Sequence, residues 1–281
     1  VDDHSNDRYI PELRKIEKDF PHVTMLYLYK NGGGGKARNE GLKVAKGRYV
    51  LFADADDFFN YCFNQVLEDY REVDDDIIYF DVSSVDTDTY VNADRYVALH
   101  RKIALYQKQP EKALFQLRYL FGEPWCKMVK REVIEQHHIR FSETIIHNDT
   151  KYSYLVGYHC RKAHVDPRAI YCVTDRLGSV SKCSSLDRMF TRTQVFAEAT
   201  MFFQTHGINI YGSFLYRPLT YFLGRGDMTN VKRCAAIMKN EGMNTQLIIS
   251  GFIDFQMKRL FHLPKKLVGK LRKYMKPKIE T

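Results

Sequence analysis

The feature that most narrows the fold is the stretch Gly47–Asp57, GRYVLFADADD. Tyr49 to Ala53 is an apolar, β-prone run of strand length, and Asp54, Asp56 and Asp57 crowd onto its end. Open α/β sheets place their ligands at such strand ends. Three carboxylates there suit a hard cation, Mg²⁺ or Mn²⁺, which keeps positions open for water and for phosphate oxygens. The alternative is a solvated acidic turn that caps the next helix.

What precedes the stretch favours the ion. A second strand-like run, Val23 to Tyr29, leads into Asn31-Gly32-Gly33-Gly34-Gly35-Lys36-Ala37-Arg38-Asn39-Glu40-Gly41 and a helical segment from Leu42 to Lys46. Glycines ahead of a helix let the backbone approach a ligand closely, and the helix start offers unpaired N–H groups to an anion. Lys36 and Arg38 add positive charge. Strand, glycine turn, helix, strand and carboxylates make one βαβ unit, with a phosphate-binding end and a metal-binding end. The turn also satisfies G-x-G-x-x-A, but a dinucleotide site wants one acid for a ribose hydroxyl, and three would repel one another without a cation. A Walker A loop is excluded, since Ala37 follows Lys36.

Three motifs in order carry a family resemblance: Val1-Asp2-Asp3-His4-Ser5-Asn6-Asp7, then Asn31-Gly32 through Ala37-Arg38-Asn39-Glu40-Gly41, then Gly47 to Asp57. The chain resembles the inverting glycosyltransferases of family 2, whose GT-A fold binds nucleotide sugars. Trp125-Cys126-Lys127, Ile139-Arg140-Phe141-Ser142-Glu143, Asn148-Asp149 and Arg176 to Ser181 extend the likeness over roughly two-thirds of the chain. The resemblance implies an α/β fold with a mixed, mostly parallel sheet flanked by helices. It also implies that a first strand and helix are missing ahead of Val1, so that the chain is expected to be a fragment.

The resemblance further implies roles. An aspartate at the first motif recognises the nucleotide base, accepting the imide N–H of uracil, so Asp3 or Asp2 is expected to do so. A local alternative has Asp7 or Ser5 capping a helix from Tyr9 to Phe20. Asn31, Gly32, Lys36 and Arg38 are expected to line the donor, Asp54 to meet its ribose, Asp56 to hold the metal, and Asp57 to assist. A divalent ion would neutralise the charge that develops on the departing diphosphate. Asp149 is the expected general base, which an inverting transfer needs to take the acceptor hydroxyl's proton. Family members usually carry Glu-Asp here, so Asn148 is a departure. Asp149 could also cap the helix that follows it, and His147 is a less favoured base. Arg176 is expected to pair with diphosphate oxygens in a loop that closes over the donor.

Other segments read from their own residues. Helices are expected over Phe58–Arg71 and Glu111–Phe121, strands over Asp76–Val82 and Ala169–Val173, and a loop at the edge of the acceptor site over Ser83–Tyr106. Trp125 is either a core anchor or an aromatic platform for an acceptor sugar. Lys127 is a candidate for a donor phosphate.

Beyond Ser185 the pattern turns helical, which divides the chain into a glycosyltransferase-like domain, 1–185, and a helical region, 186–281. Within the first, 1–110 is the expected nucleotide-sugar part and 111–185 the acceptor part. The formal net charge of +9 is concentrated in the tail, where Lys258, Arg259, Lys265, Lys266, Lys270, Arg272, Lys273, Lys276 and Lys278 interleave with apolar residues. A basic amphipathic tail suits an anionic membrane surface, and no nucleic-acid motif accompanies it. No apolar run reaches the roughly 18 residues a membrane span needs. Six cysteines without CxxC pairs read as reduced thiols. The expected location is cytoplasmic, peripheral at the inner face of the cell membrane. The expected function is metal-dependent transfer from a nucleotide-diphosphate sugar, UDP-linked, to a glycan or lipid-linked acceptor in surface polysaccharide synthesis. The alternatives are a nucleotidyltransferase and a non-catalytic nucleotide-sugar-binding remnant.

Overall fold

A computed structural model describes residues 1–176, 185–210 and 214–261. The chain divides into two compact units, 1–185 and 186–281. In the first, the elements in order are α1 (Ile10–Asp19), α2 (Gly33–Val44), β1 (Tyr49–Val50), β2 (Phe58–Phe59), α3 (Phe63–Asp69), β3 (Ile77–Asp86), α4 (Val97–Tyr106), α5 (Pro110–Tyr119), β4 (Lys127–Lys130), α6 (Arg131–Gln136), α7 (Thr150–His159) and β5 (Ala163–Asp175).

The sheet has the order β1-β4-β3-β5-β2. Its central strand, β3, is buried without a break from Ile77 to Val82. That is why its sequence, broken only by the buried Asp81, reads as a nearly continuous apolar run rather than an alternating one. The sheet is mixed, but the balance differs from the mostly parallel one expected. Among the described strands only β3 and β5 pair in parallel, joined through α4, α5, β4, α6 and α7. β4 runs antiparallel between β1 and β3, and β2 runs antiparallel to β5. The run Val23–Tyr29, expected as a further parallel strand, contributes a single parallel bridge between Tyr27 and Asp2.

Local expectations are refined in several places. Phe58 and Phe59 pair with β5, so the helix expected from Phe58 begins only at Phe63. The expected loop over 83–106 instead continues β3 to Asp86 and forms α4, because Leu99 and Ile103, one turn apart, bury on the core. A short 3₁₀ turn, Asp7–Tyr9, precedes α1 and is capped by Asn6, not by Ser5 or Asp7. Where α7 passes α5, a Cβ on Gly157 would meet the Arg118 carbonyl oxygen at 2.2 Å, so only glycine permits that approach.

The second unit holds α8 (Leu186–Thr205), α9 (Arg217–Leu223), α10 (Met228–Asn240) and α11 (Thr245–Phe261). They enclose a separate core of Phe190, Ala197, Leu215, Leu219, Phe222, Cys234, Met238 and Ile248. No described helix is long and apolar enough to cross a membrane. The basic tail beyond Phe261 lies outside the described residues. The described cysteines, Cys62, Cys126, Cys160, Cys172 and Cys234, are free thiols.

Candidate active site

The glycine turn and the first motif meet, though not with an open anion site between them. Asp3 accepts from the backbone N–H groups of Gly32 and Gly33, each at 2.7 Å, and the Asn31 side chain donates to the Asp3 carbonyl at 3.0 Å. The amides expected to await a phosphate therefore already hold a carboxylate, the anion that a helix start attracts. Asp2 is buried and accepts from the Ser5 amide. Two of the four glycines are required by geometry. Gly33 has φ +81°, and a Cβ on Gly35 would lie 2.1 Å from the Ser142 carbonyl oxygen.

That approach seats α2 on the loop ahead of α7. Asn39, buried within α2, accepts from the Phe141 amide at 2.8 Å and donates to the Phe141 carbonyl at 3.0 Å and to Glu143 at 3.3 Å. Sequence reasoning assigned Asn39 no task. A buried carboxamide in a helix interior is the signal, since such a group must find partners. Beneath this contact Phe141 and Tyr152 stack at 4.2 Å, and Phe52 packs edge-on against both. The aromatic trio joins the acid-bearing chain after β1 to the start of α7.

Arg38 completes the junction. It contacts Asp54 at 2.5 Å and donates to the Asn148 side-chain oxygen at 3.0 Å, bridging the strand-end acids and the residue before Asp149. Asn148, where the family pattern has an acid, is a neutral partner for this guanidinium. Lys36 is half-buried and turned to Glu40 at 2.9 Å, which raises its pKa together with the nearby Glu143.

The strand-end carboxylates have three different surroundings. Asp54 is engaged by Arg38, and its amide donates to the Tyr171 hydroxyl at 2.8 Å. Asp57 faces inward. Its carboxylate accepts from the Tyr171 hydroxyl at 2.9 Å and from the Thr174 amide at 2.8 Å. Burial nonetheless pushes its pKa up, opposed by those bonds and reinforced by Asp56 and Asp54. Asp57 thus braces the turn against β5 rather than facing an ion, which corrects its expected part in metal binding. Asp56 is exposed, and its carboxylate has no partner among the described residues. No group of three or more His, Cys, Asp or Glu side chains is arranged to hold a metal among the described residues. One free carboxylate beside a diphosphate does fit Mg²⁺ or Mn²⁺, ions that take few protein ligands and complete their shells with phosphate and water.

Asp149 stands at the head of α7, partly buried, and makes no capping bond through its side chain. No other described residue bonds to its carboxyl. Burial raises its pKa to about 6, with the Glu123 charge adding to the rise and Arg38 and Lys127 opposing it.

Two expected ligand contacts are corrected by burial. Trp125 is 6% exposed, stacked on Tyr171 and edge-on to Phe121, which makes it a core anchor and not a sugar platform. Lys127 is 1% exposed, and its ammonium is spent on protein oxygens, so it does not reach toward a donor phosphate. Arg176 directly follows β5 and is exposed. The rest of the loop expected to close over the donor lies outside the described residues.

Residues 1–137 match the family model for glycosyl transferase family 2. The chain is 24% identical over 186 residues to YibD, an uncharacterized glycosyltransferase of Escherichia coli (strain K12), covering 61% of this chain and 50% of that one. A shorter stretch of 59 residues is 41% identical to the poly(ribitol-phosphate) beta-glucosyltransferase of Bacillus spizizenii, covering 21% of this chain and 9% of that one. The chain thus spans half or less of these relatives. The crystal structure of a Staphylococcus aureus TarS fragment in complex with UDP-GlcNAc superposes with a TM-score of 0.53 at 17% identity, over 85% of this chain and 81% of that one. The family match includes all three motifs, the superposition shows the fold shared with TarS, and residues 1–137 of this chain belong to glycosyl transferase family 2.

Proposed function

We propose that this chain transfers a sugar from a nucleotide-diphosphate donor, UDP-linked, to a hydroxyl of a glycan or lipid-linked acceptor, with inversion, in surface polysaccharide synthesis. The observation that carries this is Asp149: a carboxyl poised at a pKa of about 6, bonded by no other described side chain, and tied through Asn148 and Arg38 to the strand-end acids. A general base works best when its pKa lies near the working pH. Support for the donor class comes from TarS, which shares the fold and binds UDP-GlcNAc.

In this mechanism Asp149 takes the proton of the acceptor hydroxyl as its oxygen attacks the anomeric carbon. The bond from that carbon to the diphosphate oxygen breaks on the opposite face, and its electron pair leaves with the diphosphate. Asp56 would hold the divalent ion, which when bound supplies positive charge to the departing oxygens. Arg38 keeps Asp54 in place for the ribose. Asp3, already docked on the glycine turn, orders the base pocket. The basic tail would attach the protein to the anionic inner face of the membrane, where lipid-linked acceptors are presented.

Calorimetric titration of UDP with and without Mn²⁺, on the wild type and on Asp56→Ala, tests the donor half. Metal-dependent binding lost in the variant is expected. Binding that ignores both the metal and the substitution would sink the donor site.

A further inference from the structure

We propose that Lys127 is a positioning residue for the transfer reaction, holding Asp149 at the head of α7 by clamping that helix to the loop Phe121–Glu123. The geometry is specific. The Lys127 ammonium donates to the carbonyl oxygens of Phe121 at 2.7 Å and Glu123 at 2.6 Å, and to the Ser153 hydroxyl oxygen at 2.9 Å. Ser153 donates its own proton to the Gly122 carbonyl, so its oxygen can only accept from Lys127. Three acceptors use all three ammonium protons, which a neutral amine does not have. The Phe121 ring adds a face 4.1 Å from the nitrogen.

Ser153 lies one turn along α7 from Asp149, and its amide donates to the Asp149 carbonyl at 2.9 Å. The clamp therefore grips the turn that presents the base. A buried cation needs opposite charge nearby, and the groups that face Lys127 supply it. Burial lowers the Lys127 pKa to about 7; the Glu123 and Asp149 charges, with Cys126, work against that fall and favour the ammonium, and Lys102 on α4 opposes them. In return the Lys127 charge restrains the rise of the Asp149 pKa, as Arg38 does from α2. A buried lysine with three hydrogen bonds is an expensive way to fill a core, since an apolar residue of similar size there is often neutral or stabilising. Its place behind the base gives it a task.

The inference rests on Asp149 as the general base, but its test needs no substrate. The protein labelled with ¹³Cγ-aspartate is titrated by NMR, with Asp149→Asn to assign the signal, and compared with Lys127→Met and Ser153→Ala. In Lys127→Met the Asp149 carboxyl is expected to titrate at higher pH than in the wild type. The Ser153 amide is expected to exchange about tenfold faster, relative to amides of α5, the loss of a charged hydrogen bond being worth at least that factor. Ser153→Ala, which removes one acceptor and keeps the cation, should move both readouts in the same direction by less. If Lys127→Met does not fold, Ser153→Ala decides. A folded variant in which both the Asp149 titration and the exchange at the start of α7 stay as in the wild type overturns the proposal. A failure of the base assignment would appear separately, as full transfer by Asp149→Asn, and would leave the titration result standing.

Discussion

Asp57 and Asp149 are both carboxyls that burial pushes toward the protonated form, and their surroundings differ. Asp57 is saturated: a tyrosine hydroxyl and a backbone amide from β5 take its oxygens. Asp149 has the larger shift, to about 6, and no bond from another described side chain. A raised pKa alone therefore does not mark a reactive group, because structural networks perturb carboxylates too. What separates the two is spare hydrogen-bonding capacity. Asp57 has given its own to the fold, and Asp149 has kept it for a proton from outside.

The largest expected difference is in activity. Asp149→Asn should lose about 10² to 10⁴ in transfer rate, the usual worth of a general base, while UDP binding by calorimetry stays within twofold. A parallel loss of UDP binding would make Asp149 a donor ligand instead. Asp57→Ala should cost about 1 to 3 kcal/mol in a urea unfolding series, because the Tyr171 hydroxyl and the Thr174 amide lose their acceptor. A variant as stable as the wild type would erase the contrast.

The pH dependence comes next. Asp149 must be ionised to accept a proton, so kcat/KM should climb about tenfold per pH unit below about 6 and level off above it. An acid limb at the ordinary carboxylate value would mean that burial does not govern this group.

The smallest effect has the opposite sign. The folded protein binds a proton at Asp149 more tightly than the unfolded chain does, so stability falls as pH rises from the usual carboxylate range through about 6. At pH 7 that cost is fully present, and Asp149→Asn should gain about 1 kcal/mol by removing it. A helix cap would behave differently, since removing one costs stability.

Much of the site was legible before the structure. The acids after β1, the glycine turn, Asp3 beside it and Asp149 before a helix are all local patterns. They are visible because strand ends, tight turns and helix starts impose residue types within a few positions. The fold was less legible in proportion to its dependence on pairing. Only Tyr49 and Val50 of the expected strand pair, and Val23–Tyr29 reduces to one bridge. The braces were not legible at all. Asn39 meets Phe141 from 102 residues away, and Thr174 meets Asp57 from 117.

Trp125 and Lys127 show the same limit from the other side. Their residue types suit a sugar and a phosphate, and their neighbours in sequence do not reveal that both are enclosed. Lys127 is enclosed because Phe121, Glu123 and Ser153 close around it from a loop and from α7.

By itself, then, the sequence determined the family of residues 1–137, the order of its motifs and the short list of acids from which a donor site and a base are drawn. The division of labour within that list came only with the tertiary structure: Asp56 free, Asp57 saturated, Asp54 held by Arg38, Asp149 poised and Lys127 buried behind it. The reason is physical. Backbone geometry is written into neighbouring residues, whereas burial and hydrogen-bond saturation, which decide whether a carboxylate braces or reacts, are set by partners that folding brings from far along the chain.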